Sequence, residues 1–170
     1  MLLSIGLKLA YYADIGSKMD SKDRQILRAL QRDGRMTNLE LAEQVNLSPS
    51  PCLRRVRNLE KAGVLKGYSA DVDAEAYGLA LTAFVRITLE KHNEDTVKTF
   101  ERRVIALDEV QECHMLTGPT DYLLRVVVAG LAAYEDFIRT RIHPIGGIGS
   151  IDTSFVYGTV KKSGVYPMLD

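Results

Sequence analysis

The chain has 170 residues, 46% of them hydrophobic and 26% charged, which is the mix of a folded globular protein with one large or two small domains. That mix excludes collagen-like, low-complexity and wholly disordered chains, and no apolar run approaches the ~18–20 residues of a membrane-spanning helix. The formal net charge is zero but unevenly spread: residues 19–67 carry ten Lys/Arg against six Asp/Glu, and residues 68–170 carry ten against fifteen.

A basic module followed by an acidic one is a two-domain signal. Basic modules suit phosphate backbones, and acidic ones more often assemble or bind small ligands. Cys52 and Cys113 are too few for a disulfide framework and lack CxxC spacing, so a reduced, cytoplasmic protein is expected.

Residues 1–18 are expected to be a disordered extension or the product of an upstream start codon, with Met19 as the natural start. The alternative is a short helix packed on a partner subunit. They lack the basic start and the cleavage pattern of a signal peptide.

From Met19 the chain becomes regular. Asp20 or Ser21 caps a helix with Ile26, Leu27 and Leu30 on one face, ended by Asp33-Gly34. Thr37-x-x-Glu40 is a capping box that opens a short second helix. After the Asn46-Leu47 turn, Ser48 caps a third helix with Pro49 at its first position and Gly63 past its end. Three short helices with a tight turn between the second and third make a helix-turn-helix over residues 19–67.

Residues 64–73 are expected to form a strand leading into a linker over 68–80. The period then changes. Strands are expected at 81–89, 110–117, 122–128 and 148–161, and helices at 94–107 and 132–142. The order βαββαβ is the ferredoxin-like arrangement, expected over residues 81–165, and the fold class is α+β. Both alternating sets of 122–128 are largely apolar, so the face of the sheet without helices calls for a second subunit.

On the third helix, at about 100° per residue, Cys52, Leu53, Val56 and Leu59 fall on one stripe. Ser50, Pro51, Arg54, Asn58 and Lys61 point away, with Arg55 and Arg57 on the flanks. Arg and Asn read base edges in a major groove, while Lys and Arg neutralise phosphates. Ser50, Pro51, Arg54 and Asn58 are therefore candidates for base edges, Arg55, Arg57 and Lys61 candidates for phosphates, and Ser48 at the cap a further DNA-binding candidate. The competing reading is a solvated basic face, and the helix-turn-helix spacing favours DNA over it. Cys52 is read as a packing residue, not a redox sensor.

The runs LSPSPCLRRVRNLEKAGVLKGYSA, DSKDRQILRALQRDGRMTNLELAEQV and ECHMLTGPTDYLLRVVV resemble the leucine-responsive regulator/asparagine regulator (Lrp/AsnC) family over about residues 19–165. The resemblance implies a winged helix-turn-helix and a ferredoxin-like domain that binds small molecules. It further implies assembly as a homodimer and an octamer, and regulation of metabolic genes by an amino acid or related effector.

Thr117-Gly118-Pro119-Thr120-Asp121-Tyr122 lies between two strands. Gly and Pro there are turn chemistry, yet Thr117, Thr120 and Asp121 also gather polar groups at the end of an apolar sheet. Asp121 suits an ammonium group, and hydroxyls and backbone N–H groups suit a carboxylate. By resemblance this loop helps form the effector pocket, with Gly118, Asp121 and Tyr122 matching the family pattern and Pro119 departing from it. Thr153, Ser154 and Phe155 are near the same pocket by resemblance.

No metal, cofactor or catalytic constellation is expected. His92, His114 and His143 are scattered, no carboxylates pair by spacing, and Gly146-Gly147-Ile148-Gly149 reads as a flexible turn, not a phosphate loop. A haem-pathway decarboxylase of the same architecture is the alternative, disfavoured by the outward cations of the third helix. RNA binding on the sheet would need exposed aromatics that are missing.

Overall fold

The computed structural model describes residues 19–167; the extension read at 1–18 lies outside them. The chain divides into a helical unit ending at Ala70, which takes in the tail from Lys161, and an α+β unit spanning Asp71–Val160.

In the helical unit, α1 spans Ser21–Arg32, α2 Asn38–Gln44 and α3 Pro49–Lys61. Asp20 caps α1 in a box with Asp23, and Thr37 caps α2 in a box with Glu40. Asn46 takes a positive φ of 53° in the turn before α3. Gly63, at φ 69°, ends α3 in the left-handed region that side chains avoid. Ile26, Ala29, Leu30, Leu41, Ala42, Val45, Cys52, Val56 and Leu59 form the core. Leu53 departs from its expected place on that stripe: it is 36% exposed.

The strand expected at 64–73 is absent. Among the described residues no strand lies between α3 and Leu81. A lone strand leaves its backbone groups unpaired, and here the Val64 and Leu65 N–H groups turn back to the Leu59 carbonyl instead. The tail also belongs to this unit: the Tyr166 N–H donates to Gln31 Oε1 at 3.3 Å.

The second unit is a βαββαβ sandwich. Its elements are β1 (Leu81–Leu89), α4 (Glu94–Ile105), β2 (Val110–Met115), β3 (Tyr122–Val128), α5 (Leu131–Phe137) and β4 (Ile148–Phe155). The antiparallel sheet runs β2-β3-β1-β4. In register, Val85 lies opposite Leu124 on one side and Thr153 on the other. Ala83, Val85, Ile87, Leu89, Leu124, Val126, Phe100, Val104 and Phe137 build the core beneath the helices.

The helix expected over 132–142 loses its α geometry early. It becomes a π turn at Ile138–Ile142 and a 3₁₀ turn at His143–Ile145. The wider turn brings Ile142, five residues after Phe137, onto the core side and leaves Arg141 outside; both Phe137 and Ile142 are buried. Pro144 then stops the helix.

The glycine run before β4 is a built turn, not a slack one. Gly146 and Gly147 have φ of 75° and 68°, and a Cβ on Gly147 would sit 2.8 Å from Thr96 Cγ2. The Gly147 carbonyl accepts from the Glu90 N–H at 2.9 Å.

Leu124→Ala, at a fully buried central position, is expected to destabilise the protein by ~2–5 kcal/mol through the cavity it leaves. Urea denaturation monitored by circular dichroism measures it.

Candidate functional site

Helix α3 owes its orientation to burial of Cys52, Val56 and Leu59. Ser50, Pro51, Arg54, Arg57, Asn58 and Lys61 are left exposed on the other side. Among the described residues Arg54, Arg57 and Lys61 form no ion pair. Ser48 stands at the N-cap, but its hydroxyl makes no capping bond. One usual recipient, the third helical residue, is Pro51, which has no N–H. The start of α3 is held from α2 instead, where Asn38 Nδ2 donates to the Pro49 carbonyl at 2.9 Å.

Arg55 is placed differently from its neighbours. Its Nη1 lies 2.8 Å from Asp20 Oδ2 and 2.8 Å from Asp23 Oδ1, facing the start of α1. Sequence spacing put it on the flank of the helix and gave no sign of these partners. The Asp23 N–H bond and Arg55 together hold the Asp20 carboxyl below its ordinary value, against a smaller opposing effect of burial. Burial pushes the Cys52 thiol up, which keeps it protonated and unreactive.

In the second unit, Thr117, Gly118 and Pro119 are exposed and Thr120 is half-buried, in the loop between β2 and β3. Asp121 ties this loop to the end of β1. Its N–H donates to the Ile87 carbonyl at 3.0 Å, its Oδ2 accepts from the Leu89 N–H at 2.8 Å, and its Oδ1 lies 2.7 Å from His92 Nε2. Burial opposes ionisation of Asp121, but the Leu89 N–H and His92 outweigh it and bring the carboxyl below its ordinary value. His92 was legible as a histidine, but not as a partner 29 residues away.

Tyr122 points the other way. It is 3% exposed, stacks on Phe100 at 4.6 Å between ring centroids, and donates to Glu101 Oε1 at 2.9 Å. Burial and Glu101 raise its hydroxyl pKa. Its side chain is therefore core and does not line the loop.

Ser154 is also apart from the loop. It lies opposite Phe84 and accepts from Arg86 Nη1 at 3.2 Å on the face of the sheet without helices. Phe84, which Ser154 faces from β4, is three residues along β1 from Ile87, whose carbonyl holds Asp121, a separation of ~10 Å along the strand direction. Thr153 bonds the Tyr134 hydroxyl on the core side, and Phe155 packs edge-on against the same ring at 5.1 Å.

The face without helices is less apolar than the strand pattern implied. Leu123, Val127 and Phe84 share it with polar side chains. Arg125 Nε donates to Glu112 Oε1 at 2.7 Å, and His114 Nε2 lies 3.0 Å from Glu112 Oε2. No group of three or more potential metal ligands occurs among the described residues. No helix among them is long and apolar enough to cross a membrane.

Residues 19–66 match the model of a winged helix-turn-helix DNA-binding domain, and residues 82–166 that of the Lrp/AsnC ligand binding domain. The chain belongs to the Lrp/AsnC family. This family member is 40% identical over 148 residues to the leucine-responsive regulatory protein of Escherichia coli K12, covering 87% of this chain and 90% of the relative. The same protein of Klebsiella aerogenes matches equally.

Among solved structures, the fold matches a Neisseria meningitidis transcriptional regulator in complex with L-methionine. The TM-score is 0.84 at 38% identity, covering 88% of this chain and 97% of the other. An AsnC family transcriptional regulator of Agrobacterium tumefaciens gives the same TM-score and coverage at 36% identity. The chain is thus a member of a family of transcriptional regulators and not an enzyme, and nothing in these matches supports the decarboxylase reading.

The lowered pKa of Asp121 has a consequence for stability. A carboxyl depressed by folding stabilises the native state above its unfolded pKa, and this contribution is lost as pH falls through the folded value. Asp121→Asn is therefore expected to flatten the acid limb of a stability-versus-pH curve below about pH 4. Urea midpoints measured across that range check it.

Proposed function

We propose that this chain is a sequence-specific transcriptional regulator that reads duplex DNA with α3 and answers to an amino acid or close relative through the loop at Thr117–Asp121. The observation that carries the DNA half is the exposed Arg54, Arg57, Asn58 and Lys61 surface, without ion pairs among the described residues, on the third helix of a helix-turn-helix. Ser48, Ser50, Pro51, Arg54 and Asn58 meet base edges and nearby backbone, while Arg57 and Lys61 position the helix on phosphates. Arg55, turned to Asp20 and Asp23, leaves the phosphate set. The site of action of such a regulator is the cytoplasm.

Arg54→Ala is expected to cost ~1–3 kcal/mol in DNA binding and to relax sequence preference at one position, whereas Lys61→Ala weakens all sequences alike. Fluorescence anisotropy over a salt series, with duplexes selected from a random pool, distinguishes the two. Undiminished binding by both variants rejects the reading.

For the effector, the relative bound to L-methionine makes that amino acid the first to test. Both Asp121 oxygens already accept contacts from Leu89 and His92, so an ammonium group shares Asp121 with them. Thr117, Thr120 and the Gly118 N–H supply carboxylate donors, and Pro119 supplies none. The sheet face bearing Phe84, Leu123 and Val127 is the surface for a second copy, with a homodimer as the first assembly and an octamer as the higher one. A thermal-shift screen of all amino acids on the full chain is expected to find a ligand that, at 100 times its dissociation constant, stabilises the fold by ~2.7 kcal/mol. Loss of the shift in Thr120→Val with the fold intact locates it in this loop, and retention places it elsewhere.

A further inference from the structure

The capping box of α1 divides its four carboxylate oxygens evenly. Asp20 Oδ1 accepts from the Asp23 N–H at 2.9 Å, and Asp23 Oδ2 accepts from the Asp20 N–H at 3.3 Å. The two remaining oxygens, Asp20 Oδ2 and Asp23 Oδ1, each lie 2.8 Å from Arg55 Nη1. That nitrogen carries two hydrogens, one for each carboxylate. The first turn of α1 and the middle of α3 are thereby closed into one ring. Arg55 is adjacent in sequence to Arg54, which points outward, so whatever fixes Arg55 fixes the roll of α3 and the direction of Arg54 and Asn58. The Asn38 bond to the Pro49 carbonyl holds the start of the same helix.

We propose that Arg55, with Asp20 and Asp23, is a positioning residue for sequence recognition: it mounts α3 on α1 and acts on DNA through Arg54 and Asn58, not by touching phosphate. This rests on the DNA-binding reading above. It makes an unusual sign prediction. Neutralising Asp20 and Asp23 removes two negative charges from a DNA-binding domain, which general electrostatics says must tighten binding. If the carboxylates hold the recognition helix, the same change weakens specific binding. Asn is a good helix N-cap, so Asp20→Asn with Asp23→Asn leaves α1 able to form.

The test uses the full chain and two probes: a duplex it selects from a randomised pool, and a shuffled duplex of the same composition. Arg55→Met, which keeps the aliphatic stem, and the Asp20→Asn/Asp23→Asn pair are each expected to weaken the selected duplex roughly 3–30-fold. Neither changes the slope of log K against log salt. Combined, they lose no more than either alone, because they break the same ring. Arg55→Lys restores part of the loss.

A phosphate contact behaves otherwise: Arg55→Met lowers the salt slope by ~0.9 and weakens both duplexes alike, and the Asn pair tightens binding. That outcome overturns the proposal, as does a full set of variants that bind like wild type. If Arg55→Met does not fold by circular dichroism, the Asn pair decides by its sign. Arg54→Ala runs in parallel: if it too binds like wild type, the DNA reading itself fails, whereas its loss beside intact Arg55 variants rejects the mount alone.

Discussion

Burial of one stripe of α3 sets the direction of everything else on that helix. Cys52, Val56 and Leu59 are buried against α1 and α2. At about 100° per residue, a helix whose inner face is held has its outer face fixed to within a small rotation. Arg54, Asn58 and Lys61 face outward because Val56 and Leu59 face inward. The cost of turning the helix is exposure of the core stripe, so the hydrophobic effect orients a polar surface with which it has no direct contact. In the second unit β1 plays the comparable part. It lies between β3 and β4, and its alternate residues Ala83, Val85, Ile87 and Leu89 sit under the helices.

Pairing separates the arginines into two kinds. Arg55 is matched by Asp20 and Asp23, and Arg125 by Glu112, through contacts of 2.7–2.8 Å within one unit. Arg54 and Arg57 are exposed without such partners among the described residues. A paired guanidinium already has its charge and donors answered, whereas an unpaired exposed one gains by meeting a phosphate or a guanine edge. The ten cations of residues 19–67 therefore include one, Arg55, whose charge is already answered within the unit. The angular plot of the helix cannot draw this distinction, because it assigns Arg55 a direction but not a neighbour.

The loop at Thr117–Asp121 shows a single residue carrying local architecture and candidate chemistry together. Asp121 fastens the loop to the end of β1 through its backbone and both side-chain oxygens. A ligand that draws on Asp121 draws on the contact that holds the sheet end and the His92 segment together. Asp121 is thereby connected to β1, which runs through the middle of the sheet. A ligand acts on assembly or DNA affinity only through different affinity for two states, and a shared anchoring residue is a physical means to that difference.

Local rules were enough for much of the fold. Both capping boxes use residues three apart, so Thr37 with Glu40 was legible before any tertiary contact was known. β1 begins and ends with its apolar alternation at Leu81–Leu89, and β3 with its apolar run at Tyr122–Val128. The βαββαβ order and the basic α3 followed from periodicity and charge. Tertiary structure decided whatever depends on a distant partner. The strand expected at 64–73 did not form, because a strand exists only where another pairs with it. Leu53 lay on the buried stripe by angle, yet no neighbour covers it fully. Arg55 meets Asp23 across 32 positions, and Asp121 meets Leu89 across the same separation. Tyr122 belongs to the core because Phe100 and Glu101 are beneath it, and Ser154 lies away from the loop because register sets it opposite Phe84. Period and capping are properties of adjacent residues and are written in the chain. Which polar group is already satisfied is a property of pairs, and only packing brings the pairs together.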